Sequence, residues 1–215
     1  MRELWHQIRQ AGVVAIMRAD SAHHALAVAE AVRAGGLNAI EVSLTTPGAL
    51  EAIRQLVGQR WPDLFVGAGT VLDAHSAQAA IHAGAQFIVC PTFDPQVIEV
   101  CHLHSVPVAP GAYTPTEILN AWRAGADIVK VFPADAGGPS YIRAIKAPLP
   151  QVSLMAVGGV DLSNAADFIR AGADMIAVGS ALIDQHLLDA GDFHTITQRA
   201  GRFKEEVRDA RAGTG

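Results

Sequence analysis

Four times along this chain a short element ending in Ala-Gly leads into a run of apolar residues. The four are Arg33-Ala34-Gly35-Gly36, His82-Ala83-Gly84-Ala85, Arg123-Ala124-Gly125-Ala126 and Arg170-Ala171-Gly172-Ala173. Their glycines stand 49, 41 and 47 residues apart. Each interval is about twice the length of a compact βα unit, so four double units predict eight. Each element reads as a helix end, with a cation near the last carbonyls and a glycine able to take positive φ. The apolar runs that follow are near-continuous, as in parallel strands covered on both faces.

Eight strands are predicted, at 13–17, 38–43, 64–68, 86–90, 106–109, 127–132, 152–156 and 174–179. Helical patterns fill the gaps. In the first gap Ala25, Leu26, Ala29 and Val32 share a face. Thr114-Pro115-Thr116-Glu117 has the layout of a capping box with proline at the first helical position. Thr46-Pro47 and Asp161 predict the starts of the helices after strands two and seven. A polar, mixed-charge helix at about 192–211 can complete the wall. Alternating βα units imply a parallel sheet, and eight of them favour an α/β architecture closed as a (β/α)₈ TIM barrel over an open doubly wound sheet. At 215 residues this is expected to be a single domain spanning 1–215.

Composition narrows the function. The formal net charge is −5 and no Lys/Arg run stands out, so no nucleic acid partner is expected. No apolar stretch approaches a membrane span, and the first residues lack a signal-peptide layout. No membrane association and a cytoplasmic location are expected. Cys90 and Cys101 form no CxxC pair and suit a reducing compartment.

Two predicted strands carry an ionisable residue inside an apolar run. Glu41 lies in Ala39-Ile40-Glu41-Val42, and Lys130 in Ile128-Val129-Lys130-Val131-Phe132. Counted from the repeated element, both lie at nearly the same height, just before the strand exits. Barrel active sites sit at that C-terminal face. Alternation sends Ile40, Val42, Val129 and Val131 towards the helices, and Glu41 and Lys130 into the barrel. Strands two and six face each other, so the two side chains can meet near the axis. One reading is a buried structural ion pair, which is costly unless well satisfied. The other is chemical. Desolvation favours the neutral amine, which can attack a carbonyl to form an imine. A neighbouring carboxyl can move the protons of that chemistry.

Val157-Gly158-Gly159-Val160 and Val178-Gly179-Ser180-Ala181 follow strands seven and eight. Those turns are the usual phosphate site of such a barrel, built from bare amides and a helix start. Gly67-Ala68-Gly69-Thr70-Val71 closes strand three. Its small residues are expected to leave room at the mouth, and Thr70 can offer a hydroxyl to a carboxylate.

From about Val14 to Leu182 the chain resembles the 2-keto-3-deoxy-6-phosphogluconate aldolases, grouped with the 4-hydroxy-2-oxoglutarate aldolases. The resemblance rests on Glu-Val-Ser-Leu at 41–44, Gly-Ala-Gly-Thr-Val-Leu at 67–72, Pro91, Pro-Gly at 110–111, Lys-Val-Phe-Pro-Ala at 130–134, Gly-Gly-Val at 158–160 and Gly-Ser at 179–180. It implies a homotrimeric class I aldolase of carbohydrate metabolism that needs no metal and no cofactor. Lys130 would be the Schiff-base lysine and Glu41 the general acid/base. Thr70 would bind the pyruvate carboxylate, and Pro91 would shape the pocket. Gly158, Gly159, Gly179 and Ser180 would surround the phosphate of a small keto-acid phosphate. The products would be pyruvate and glyceraldehyde 3-phosphate, or pyruvate and glyoxylate from 4-hydroxy-2-oxoglutarate.

Two residues depart from the pattern. Thr45 stands where many members have a carboxylate-binding arginine, and Arg18, at the end of strand one, is the expected replacement. Val157 stands where the gluconate branch has threonine. The 2-keto-3-deoxy-6-phosphogalactonate aldolases also resemble this chain, in that valine and in an arginine on strand one. The loop Thr45-Thr46-Pro47-Gly48 is closer to the gluconate/hydroxyoxoglutarate group.

Two other functions share parts of this pattern. A phosphosugar isomerase or synthase shares the phosphate site but needs no amine on strand six. A non-catalytic phospholigand-binding barrel predicts no covalent adduct at Lys130. Nine histidines raise a metal centre, and His102-Leu103-His104 has an HxH spacing. That motif is expected after the helix following strand four, away from the rim, and His23, His24, His75, His82 and His194 are scattered; no metal is predicted.

Overall fold

A computed structural model of the chain describes residues 2–18 and 22–213. Nine strand segments lie in one parallel sheet: β1 (Val13–Met17), β2 (Ala39–Ser43), β3 (Phe65–Gly69), β4 (Ile88–Val89), β5 (Val108–Ala109), β6 (Gly111–Ala112), β7 (Val129–Val131), β8 (Leu154–Val157) and β9 (Met175–Val178). The ladder runs β5-β4-β3-β2-β1-β9-β8-β7-β6. Its two ends are consecutive in the chain, because Pro110 alone separates β5 from β6. The predicted fifth strand, 106–109, is therefore two segments. Proline has no N–H to give a ladder, so the strand breaks there and changes partner. Lys130 N still donates to Pro110 O at 2.9 Å, and Phe132 N to Ala112 O at 3.1 Å. The sheet is thus a nearly closed (β/α)₈ barrel.

Among the described residues ten α-helices pack around the sheet or across its end: α1 (Arg2–Ala11), α2 (Ala22–Ala34), α3 (Ala49–Gly58), α4 (Ala74–His82), α5 (Pro95–Leu103), α6 (Pro115–Arg123), α7 (Gly138–Lys146), α8 (Ala165–Arg170), α9 (Gln185–Ala190) and α10 (Phe193–Ala212). The repeated glycines behave as their context requires. In the first element the positive φ falls on Gly36 and not on the counted Gly35; Gly36, Gly84, Gly125 and Gly172 have φ between 84° and 108°, closing helices where a side chain would be strained. Thr114 caps α6 as a full capping box, with Thr114 N donating to the Glu117 carboxylate at 2.8 Å.

Two predicted helix starts shift. Thr46-Pro47 opens a turn, with Ala49 N donating to Thr46 O at 3.1 Å and Gly48 at φ 74°. Proline followed by a positive-φ glycine is type II turn chemistry, so α3 begins only at Ala49. The Asp161 carboxylate accepts from the Ser163 amide at 2.7 Å. This local turn delays α8 to Ala165.

Two cores result from the alternation. Val13, Ala15, Met17, Ile40, Val42, Val129 and Val131 pack outward against the helices. Val14, Ile16, Ala39, Phe87, Ile128, Met155 and Met175 fill the barrel. Helix α1 stoppers one end, where Trp5 and Ile8 join the inner core and the Trp5 and Phe87 ring centroids lie 5.5 Å apart. Gly67 is needed there, because a Cβ would strike the Phe87 ring. Helix α10 lies against the outside, with the Thr197 hydroxyl donating to Ala31 O at 3.1 Å.

Candidate active site

The other end of the barrel opens into a cavity of about 610 Å³. Every strand segment but β5 and β6 ends at or beside its wall. Glu41 and Lys130 line it from β2 and β7, and Arg18 from the end of β1. Thr70 and Pro91 follow β3 and β4 onto the wall; Gly158, Gly159, Gly179 and Ser180 do so from β8 and β9. The structure therefore brings all nine predicted site residues to one space. The histidines lie elsewhere: His102 Nε2 is 3.0 Å from Gly125 O, and the His82 and His104 rings meet edge to face at 5.7 Å. Among the described residues no three His, Cys, Asp or Glu side chains converge as metal ligands would.

Glu41 and Lys130 are 1% and 5% exposed. They form no ion pair within 4.0 Å, so the structural ion-pair reading does not hold. Each has other neighbours. Lys130 Nζ stands 4.9 Å from the Phe132 ring centroid, a contact that an ammonium gains from and a neutral amine does not need. The Glu41 Oε2 atom is buried without a hydrogen-bond partner. Burial pushes the Glu41 carboxyl above its ordinary range, and the nearby charges of Lys130 and Arg18 oppose this without cancelling it. An orphaned carboxylate oxygen costs about 1–3 kcal/mol or more, so the site holds Glu41 ready to carry a proton.

Gly69 is the structural condition for Glu41, since a Cβ at Gly69 would overlap the Glu41 carboxyl group. The small residues of β3 were expected to leave the mouth open. Instead Phe87 occupies the room made by Gly67, and Glu41 that made by Gly69. Gly111 does the same for Pro91, whose carbonyl group a Cβ would strike.

The two glycine turns present unused donors. Gly158 and Gly159 have φ of 98° and 63°. After β9 the chain makes one helical turn, with the Leu182 and Ile183 amides both 2.9 Å from Gly179 O. The amides of Gly159, Val160, Ser180 and Ala181 meet no protein acceptor among the described residues. Such bare amides suit an anion.

Sequence reasoning passed over Ser43 and Phe132 as site residues. Ser43 is fully buried, and its hydroxyl lies 2.8 Å from both the Thr45 and the Thr70 hydroxyls. The signal was present: Ser43 is two residues after Glu41 and must share its face.

Fold and site together define an α/β-barrel enzyme of the lyase class. The family model described as "KDPG and KHG aldolase" matches residues 4–199. The 2-dehydro-3-deoxy-phosphogluconate aldolase of Pseudomonas aeruginosa is 34% identical over 94% of this chain and 92% of its own length. The 2-dehydro-3-deoxy-6-phosphogalactonate aldolase of Escherichia coli is 38% identical over 92% of this chain and 95% of its own. A crystal structure of the KDPG aldolase of Legionella pneumophila, with pyruvate captured as a covalent carbinolamine, superposes with a TM-score of 0.85 at 27% identity. It covers 91% of this chain and 95% of that one. The chain belongs to the KDPG and KHG aldolase family.

Proposed function

We propose that this enzyme is a class I aldolase that cleaves 2-keto-3-deoxy-6-phosphogluconate to pyruvate and glyceraldehyde 3-phosphate. The observation that carries the reading is a buried amine and a buried carboxyl on one cavity wall without a salt bridge between them. Neutral Lys130 Nζ attacks the C2 carbonyl. The carbinolamine loses water and leaves an iminium. Glu41, as carboxylate, takes the proton of the C4 hydroxyl. The C3–C4 bond then breaks, its electron pair flows into the iminium, and the aldehyde departs. The resulting enamine takes a proton at C3, and water releases pyruvate and the free amine. Glu41, raised in pKa by burial, suits both the taking and the giving of protons.

Arg18 and Thr70 would hold the carboxylate end of the substrate, and Pro91 would bound the pocket beside it. The amides around Gly158, Gly159, Gly179 and Ser180 would hold the phosphate. No step calls on a metal. The same imine chemistry serves 4-hydroxy-2-oxoglutarate. No helix among the described residues is long and apolar enough to cross a membrane, in keeping with a cytoplasmic enzyme of sugar-acid breakdown. The protein is proposed to work as a single-domain homotrimer.

A second reading concerns the C4 configuration. Val157 lines the cavity without a hydroxyl to offer, and the phosphogalactonate aldolase relative is 38% identical. Measuring pyruvate release from the two C4-epimeric acids tests both. Preference for the gluconate epimer is expected. Preference for the galactonate epimer would transfer the assignment, and turnover of neither would refute it.

A further inference from the structure

Ser43 is buried beneath the cavity, and the two threonines it touches line the cavity. A hydroxyl carries one proton and can donate once. Three hydroxyls joined by two links therefore use two protons and leave one. Thr45 is exposed, so water can satisfy its oxygen when the chain runs with Thr45 donating to Ser43. In that direction Ser43 donates to Thr70, and the Thr70 proton is left for the cavity.

Thr70 is held unusually firmly for such a role. Its φ is 56°, a left-handed conformation that strains a β-branched residue unless its surroundings enforce it. The flanking backbone is tied on both sides, by Leu44 N to Gly69 O at 2.8 Å and by Val71 N to Val89 O at 3.3 Å. Ser43 ties the side chain.

We propose that Ser43 is a positioning residue for keto-acid recognition: it orders the Thr45–Ser43–Thr70 hydroxyl chain so that Thr70 donates to the substrate carboxylate. The proposal rests on the aldolase reading above and explains how a site with Thr45 in place of an arginine still presents an oriented donor beside Arg18.

The test measures cleavage kinetics of 2-keto-3-deoxy-6-phosphogluconate, and borohydride trapping of pyruvate, on the parent enzyme and three variants with checked melting curves. Ser43→Ala is expected to raise KM on the order of tenfold, with the larger part of the loss in KM rather than kcat. Ser43→Thr, which keeps the hydroxyl, is expected to restore most of it. Thr45→Val removes the exposed head of the chain and is expected to raise KM by about threefold. An unchanged KM in Ser43→Ala overturns the proposal. So does equal loss in Ser43→Ala and Ser43→Thr, which marks a packing role. If Ser43→Ala does not fold, an unchanged KM in Thr45→Val overturns it instead. A parent enzyme that traps no pyruvate overturns the aldolase reading and this one with it. A parent that traps it, beside an unaltered Ser43→Ala, overturns the positioning role alone.

Discussion

Glu41 holds one oxygen against no partner at all, and this has opposite consequences for activity and stability. Replacing it with glutamine removes the proton carrier, and kcat is expected to fall about 10²–10⁴-fold. The same change should stabilise the fold at neutral pH. Burial raises the folded-state pKa above the ordinary value of 4.5. Folded protein then binds more protons than unfolded protein between the two values, so stability falls as pH rises through that window. Glu41→Gln is therefore expected to melt higher than the parent above about pH 5, with the difference vanishing below about pH 4. Melting curves across pH check this; a glutamine variant less stable at neutral pH contradicts it. Arg18 is exposed at the rim yet lines the cavity. Arg18→Ala is expected to raise KM for the keto acid about tenfold, and unchanged kinetics would remove Arg18 from the site.

Among the elements, the strands were legible wherever an apolar run carried its own alternation. β1 was read at its observed bounds, and β2, β3 and β9 within a residue or two at each end. The fifth strand was not, because its division depends on which neighbours Pro110 leaves to pair with, a tertiary matter. Helix α1 went unread for a related reason. Trp5 and Ile8 are spaced to share a helix face, but their burial exists only once a barrel end is there to receive them. Thr46-Pro47 and Asp161 carried helix-start signals that turns used first. The Thr114 capping box was read in full, since both its bonds are local. Thr114→Ala is expected to cost about 1 kcal/mol of stability with unchanged kcat. Denaturant unfolding and steady-state rates measure the two together.

For the whole molecule, the four-fold repeat of helix end and strand was enough to imply closure, and closure was enough to bring distant residues to one rim. Arg18, Glu41, Thr70, Pro91 and Lys130 come from separate segments and share a wall because parallel strands all end on the same side. Glu41 and Lys130 were legible as charged residues out of place in apolar runs and Thr70 as a hydroxyl closing a strand, whereas Pro91 and Arg18 were legible only through the family resemblance. Their mutual geometry was not: the separation of Glu41 from Lys130, the clearance made by Gly69 and the ties on Thr70 exist only across strands. The central claim is that Lys130 forms an imine with a keto acid. Treating the folded enzyme with pyruvate and borohydride, then mapping the added mass by peptide, tests it most directly. One reduced pyruvate is expected on the peptide containing Lys130 and none in Lys130→Met; folded enzyme that gains no mass, or gains it at another lysine, rules out an imine at Lys130.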